Sequence, residues 1–137
     1  MLSITLITGL LATLQFADAG QGTVNAYGCV YCKGKALKDI MVKMYDVDSK
    51  CDRRFHGKTR TDNDGCFFVN GTATDLRDEI DPVINFYHTC DMGIDYGRCL
   101  LKSRLFLDSA ETVNTPKPVN FTKIDVANLP TGKDCIH

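Results

Sequence analysis

The chain has 137 residues, 44% of them hydrophobic and 24% charged, with seven cysteines and no tryptophan. That length excludes two ordinary domains, and the apolar content excludes an intrinsically disordered chain. Sixteen Lys and Arg against seventeen Asp and Glu leave a net charge of −1, so no global basic field exists to hold nucleic acid or an anionic membrane.

The first element is an uncharged apolar run over residues 2–16, followed by Ala17-Asp18-Ala19. The small-x-small pattern predicts a cleaved signal peptide over 1–19, although no Lys or Arg precedes the run. The run is too short for a comfortable membrane span, and no later stretch approaches 18 apolar residues. Residues 20–137 are then expected to form one secreted domain in an oxidising compartment, where disulfides persist. Two glycosylation sequons, at Asn70 and Asn120, agree with that route.

From Thr23 onward the hydrophobic period is two. Residues 40–45 alternate, with Ile40, Val42 and Met44 on one face of a half-buried strand. Residues 55–61 and 66–70 flank Asp62-Asn63-Asp64-Gly65, which reads as a hairpin turn because Asn, Asp and Gly tolerate positive φ. Residues 74–80 read as a short helix, with Thr74 as N-cap and Asp75 and Asp78 near its positive end. Residues 83–88 form a strand entered through Asp81-Pro82. The next strand, 99–107, places Leu101, Leu105 and Leu107 on one face and Lys102 and Arg104 on the other, and the last runs over about 119–126. About seven strands with regular turn signals predict an all-β, two-sheet sandwich, a small barrel being the competitor.

Residues 55–67 resemble the C–D hairpin of prealbumin-like domains. The mature chain as a whole is similar to the transthyretin-like family of nematode secreted proteins. The resemblance runs through Gly28-Cys29-Val30-Tyr31-Cys32 with Lys35, the 42–46 strand, Gly65-x-Phe67, Gly71 and Ile80-Asp81-Pro82. It ends with Tyr87-His88-Thr89-Cys90-Asp91, Cys99 and Cys135. It implies a seven-stranded transthyretin-like sandwich with one short helix. It also implies two framework disulfides among Cys32, Cys90, Cys99 and Cys135, expected as Cys90–Cys99 and Cys32–Cys135. Cys29, Cys51 and Cys66 fall outside that pattern. They allow one further bond and leave one cysteine for a disulfide-linked homodimer or a free thiol.

Cys29 and Cys32 have redox or zinc spacing, but no second CxxC and no βαβ pattern accompany them. On a strand they point to opposite faces, so two separate disulfides are expected. His88 beside Cys90 and Asp91 offers a metal cluster or a Cys–His nucleophile; the plainer reading is a sheet histidine beside a disulfide. The 5-hydroxyisourate hydrolases of the wider fold carry a C-terminal Tyr-Arg-Gly-Ser and an early histidine. This chain ends Asp134-Cys135-Ile136-His137, and its first histidine is His56. No catalytic residue, metal ligand or cofactor is therefore assigned.

Arg54, Lys58 and Arg60 form a stripe on one strand that would meet an anionic partner such as phospholipid head groups, sulfated glycans or an acidic receptor. The plainer reading is an edge strand guarded by charge. The expected function is a secreted, non-enzymatic extracellular binding or adaptor protein acting at cell surfaces. A carrier of a small apolar ligand or lipid, and an extracellular hydrolase, are the alternatives.

Overall fold

The computed structural model describes residues 21–47, 53–74, 79–91 and 97–137, with residues 53–56 as backbone only. The leader expected at 1–19, Cys51 and the 75–78 part of the expected helix lie outside the described residues. The described chain is a two-sheet sandwich. One sheet holds β1 (Gln21–Cys32), β2 (Lys35–Ala36), β5 (Cys66–Thr74) and β8 (Val119–Asp125). The other holds β4 (Arg53–Arg60), β3 (Met41–Asp46), β6 (Pro82–His88), β7 (Leu100–Phe106) and β9 (Thr131–Asp134), in that spatial order. All neighbours are antiparallel except β1 and β8, which run parallel.

Alternation decides which side chains are inside. Along β1, Val24, Ala26, Val30 and Cys32 are buried, whereas Tyr27 faces solvent. Val42 and Met44 of β3, Phe67 and Val69 of β5, Ile84 and Phe86 of β6, and Ile124 of β8 complete the core. Phe67 and Phe86 meet edge-to-face between the sheets, with ring centroids 5.5 Å apart. Each such fully buried side chain contributes roughly 1.5–3 kcal/mol.

Residues 62–65 make the expected turn. The Gly65 N–H donates to the Asp62 carbonyl, and the Asp62 carboxylate accepts from the N–H groups of Asp64 and Cys66. Gly65 has φ +79, and a Cβ there would lie 2.8 Å from the Val30 carbonyl oxygen, so glycine is required. A second hairpin joins β1 to β2 through Lys33 (φ 50) and Gly34 (φ 81), a two-residue turn whose twist suits antiparallel strands. Gly57 of β4 lets the two sheets approach: a Cβ there would lie 2.7 Å from the Asn70 carbonyl oxygen of β5.

Seven strands have six or more residues, and two short ones, β2 and β9, add to them. The described helix is one turn, Ser109–Thr112, capped by the Asp108 carboxylate, which accepts from the Ala110 and Glu111 N–H groups. Thr74 ends β5, and the residues that it is expected to cap lie outside the described residues.

The disulfide pairing corrects the expectation. Cys99 bonds Cys135, Cys32 bonds Cys90, and Cys29 bonds Cys66. Neither Cys90–Cys99 nor Cys32–Cys135 forms. The physical reason is β9: it pairs with β7 in a register that puts Leu100 opposite Asp134, so Cys99 faces Cys135 across that ladder. Cys90 meanwhile leaves the sheet in a turn completed by Asp91 at φ 58 and crosses to the inward-facing Cys32 of the other sheet. Cys29 and Cys66 are direct partners between β1 and β5. With six of seven cysteines bonded, Cys51 is the one left over.

Candidate functional site

Among the described residues, two places gather chemistry-bearing side chains. The first is inside. His88, at the end of β6, is 4% exposed and Ser103 of β7 is fully buried. The Cys90 N–H donates to His88 Nδ1 at 3.1 Å, which leaves that nitrogen unprotonated. The proton of the neutral ring therefore sits on Nε2, which donates to Ser103 Oγ at 2.8 Å. Ser103 in turn donates to Thr131 Oγ1 at 2.7 Å, and Thr131 donates to the Leu129 carbonyl at 3.0 Å. The chain of donors has one direction from end to end. A serine that accepts a hydrogen bond from its histidine is not being activated by it, and Cys90 holds no thiol because it bonds Cys32. Cys32, Cys90 and Asp91 also lie close enough together to suggest a metal cluster, but the disulfide consumes both thiolates. The cluster is a clamp between the sheets, flanked by a Lys33–Asp91 ion pair at 2.7 Å.

Burial pushes the His88 imidazole below its ordinary value, and the neighbouring Asp91 pulls it partly back. In the unfolded chain the same ring takes up a proton near pH 6.5. Between the two values the unfolded state binds more protons, so stability is lost as pH falls below about 6.5. The expected result is a lower melting temperature at pH 5 than at pH 7.5, with a shallower pH dependence in His88→Asn. Equal slopes in thermal denaturation would show that His88 does not carry the effect.

The second place is the outward face of the five-stranded sheet. Register aligns Lys58, Lys43, Asn85 and Arg104 in one row across β4, β3, β6 and β7. The next row aligns Arg60, Met41, Tyr87 and Lys102 in the same way. Adjacent strands are about 4.8 Å apart, so the cations form a flat array rather than a single stripe. Aromatic rings lie among them. Lys43 Nζ sits 5.3 Å from the Tyr87 ring centroid, and the Arg104 guanidinium 5.0 Å from that of Phe106. Tyr87 is kept a neutral phenol, its pKa raised first by burial and then by neighbouring Tyr45. Two carboxylates join the array: Asp39 pairs with Arg60 at 3.5 Å and Asp134 with Lys102 at 3.2 Å. At the centre, Asn85 is 1% exposed and its Oδ1 has no hydrogen-bond partner among the described residues.

One edge of this face opens into a cleft of about 270 Å³ lined by residues that include Asp39, Arg60, Tyr87, His88 and His137. The His137 ring tilts over Tyr87 at 6.0 Å. The loop before β3 that forms one wall is pinned by buried Thr61, whose hydroxyl donates to the Leu37 carbonyl and accepts from the Ile40 N–H.

Of the expected stripe, Lys58 and Arg60 stand on this face; Arg54 lies in β4, its side chain outside the described residues. The stripe misses Lys43, Lys102, Arg104 and the rings of Tyr87 and Phe106 because they belong to other strands. The available signal is alternation, which already puts Lys102 and Arg104 opposite the leucines of β7. The sequons lie on the other sheet, with Asn70 in β5 and Asn120 in β8, both exposed.

A family model described as the transthyretin-like family matches residues 27–107. Among curated proteins, the chain is similar to three from Caenorhabditis elegans. It is 27% identical to transthyretin-like protein 5 over 80% of this chain and 81% of that protein. It is 25% identical to transthyretin-like protein 1 over 90% and 85%, and 28% identical to transthyretin-like protein 33 over 80% and 79%. Among solved structures, a 9R-lipoxygenase from Cyanothece aligns at 15% identity and TM-score 0.43, over 75% of this chain and 16% of that one.

Proposed function

The chain belongs to the transthyretin-like family, and from that premise we propose that it is a secreted, non-enzymatic binding protein of extracellular surfaces. Its docking surface is the outward face of the five-stranded sheet, and its partner is a linear anionic polysaccharide. Secretion is supported by the apolar leader pattern and by three disulfides, which persist only under oxidising conditions. A non-enzymatic role is supported by the buried histidine, whose two ring nitrogens are both committed to structural hydrogen bonds.

The observation that carries the docking reading is the placement of Lys43, Lys102 and Arg104 on interior strands. Lys58 and Arg60 lie on β4, an edge strand, where charge also discourages strand addition. Edge protection does not account for cations on β3 and β7. Rows of cations at strand spacing suit sulfates or carboxylates repeated along a chain, and the exposed Phe106 ring suits the apolar face of a sugar.

The test is retention on immobilised heparin, with anionic vesicles as the comparison. The oxidised protein is expected to bind heparin and elute with salt. Replacing Lys43, Lys58 and Arg104 together by Glu is expected to weaken binding by about two orders of magnitude. Binding to vesicles and not heparin would replace the polysaccharide by a membrane surface, and unchanged binding in the triple variant would sink the face altogether.

The cysteine left over after three disulfides supports a covalent homodimer. The secreted chain is expected to run as a dimer on non-reducing gels and as a monomer in Cys51→Ser. A wild-type monomer with one alkylatable thiol would dismiss the dimer.

A further inference from the structure

The outward face of the other sheet has a different character. Tyr27 is 40% exposed and Phe68 53% exposed, and they are direct register partners on β1 and β5. Asn120 of β8 stands on the other side of Tyr27, so Phe68, Tyr27 and Asn120 form one cross-strand row. Asn70 lies two residues beyond Phe68 on the same strand, exposed on the same face. Both sequons therefore open onto one surface, and that surface holds two of the large exposed aromatic rings. A side chain two residues along a strand lies about 6.5 Å away and points the same way, the distance at which a sugar bonded to one side chain reaches the other.

We propose that Asn70 carries an N-linked glycan whose first sugar lies flat on the Phe68 ring, making this sheet the sugar-covered side of the molecule. The inference rests on the secretion reading, since the transfer occurs on the export route. In the transfer, Asn70 Nδ2 bonds the anomeric carbon of a lipid-diphosphate-linked oligosaccharide and gives up one proton. The bond from that carbon to the phosphate oxygen breaks, and the lipid diphosphate leaves. Strand geometry then seats the sugar: the apolar C–H face of a pyranose meets the ring face, whose negative quadrupole favours polarised C–H groups. Asn120 makes the internal comparison: the residue two before it is Pro118, with no aromatic ring, and its aromatic neighbour is Tyr27 across the ladder, not Phe68. Its own side-chain oxygen accepts from the Thr122 N–H at 2.8 Å. The cover also removes a liability, since adjacent exposed rings are otherwise an adhesive patch.

The test expresses the full chain in insect cells. A parallel chain has residues 1–19 exchanged for the leader of an unrelated secreted protein. Glycopeptide mapping reads occupancy at Asn70 and Asn120, and melting temperatures are compared before and after enzymatic removal of the glycans. Asn70 is expected to be occupied, and deglycosylation is expected to lower the melting temperature by several degrees. In Phe68→Ala that drop is expected to vanish, with occupancy at Asn120 unchanged. A bare Asn70, or the same drop with and without Phe68, overturns the inference. Failure of the native-leader chain to reach the medium overturns the secretion reading, and the exchanged-leader chain reports Asn70 separately.

Discussion

Replacing Cys32 and Cys90 together by Ala is expected to destabilise the protein by about 4 kcal/mol. This bond spans 58 residues, and the entropy released to the unfolded chain grows with the logarithm of that span. Its position makes it the bond to remove. Cys29–Cys66 and Cys99–Cys135 each tie neighbouring strands within one sheet, the first inside a hydrogen-bonded ladder and the second one residue beyond the end of another. Cys32–Cys90 is the covalent tie between the sheets. Urea denaturation of the oxidised double variant measures the loss. A change under 1 kcal/mol would show that packing of Phe67 against Phe86 and its neighbours suffices to hold the sheets together.

Ser103→Ala is expected to cost about 3 kcal/mol. The serine hydroxyl accepts from His88 and donates to Thr131, and its loss leaves a buried N–H with nothing to meet. Each buried group stranded in this way costs about 1–3 kcal/mol. Thr131→Val removes the next link and is expected to cost well under 1 kcal/mol, because Thr131 is exposed and water replaces it. The contrast is the content of the prediction. Equal losses at the two positions would mean that the hydrogen-bond chain is not what holds the inside of β7. The pH dependence of Ser103→Ala adds a second readout, since a ring deprived of its acceptor titrates differently from one held at both nitrogens.

Much of the sandwich is legible in the sequence because burial on one face writes itself as alternation. Val42 and Met44, Ile84 and Phe86, and the Asp62–Gly65 turn all follow from local patterns that the packed structure obeys. What escapes is long-range or locally silent. Thr131-Gly132-Lys133-Asp134 is an edge strand with no buried apolar side, so nothing in its composition distinguishes it from a tail. Missing it misdirects Cys99 towards Cys90, its neighbour along the chain, when its partner lies across β9. The helical turn follows Asp108, a good cap in a segment too short to show a helical period. The cationic face is the deeper lesson. β3, β4 and β7 each display one or two of these basic residues, and only the order of strands, which alternation does not encode, assembles them.

The parallel pairing of β1 with β8 has a consequence for the order of events during biosynthesis. β1 is the middle strand of its sheet, flanked by β5 and β2 on one side and by β8 on the other. Its partner on that side begins at Val119, more than ninety residues after Ala26, with which it pairs. A chain emerging N-terminus first therefore carries a half-clothed central strand until β8 has been made. Antiparallel β3, β4 and β6 find partners nearby, but β1 waits for β8, more than ninety residues later. Contacts of such sequence separation fold slowly, and the waiting edge is a site for mispairing with a second nascent copy. A chain ended before Val119 is expected to collect as mixed-disulfide aggregates, whereas a chain that includes β8 closes the sheet and matures.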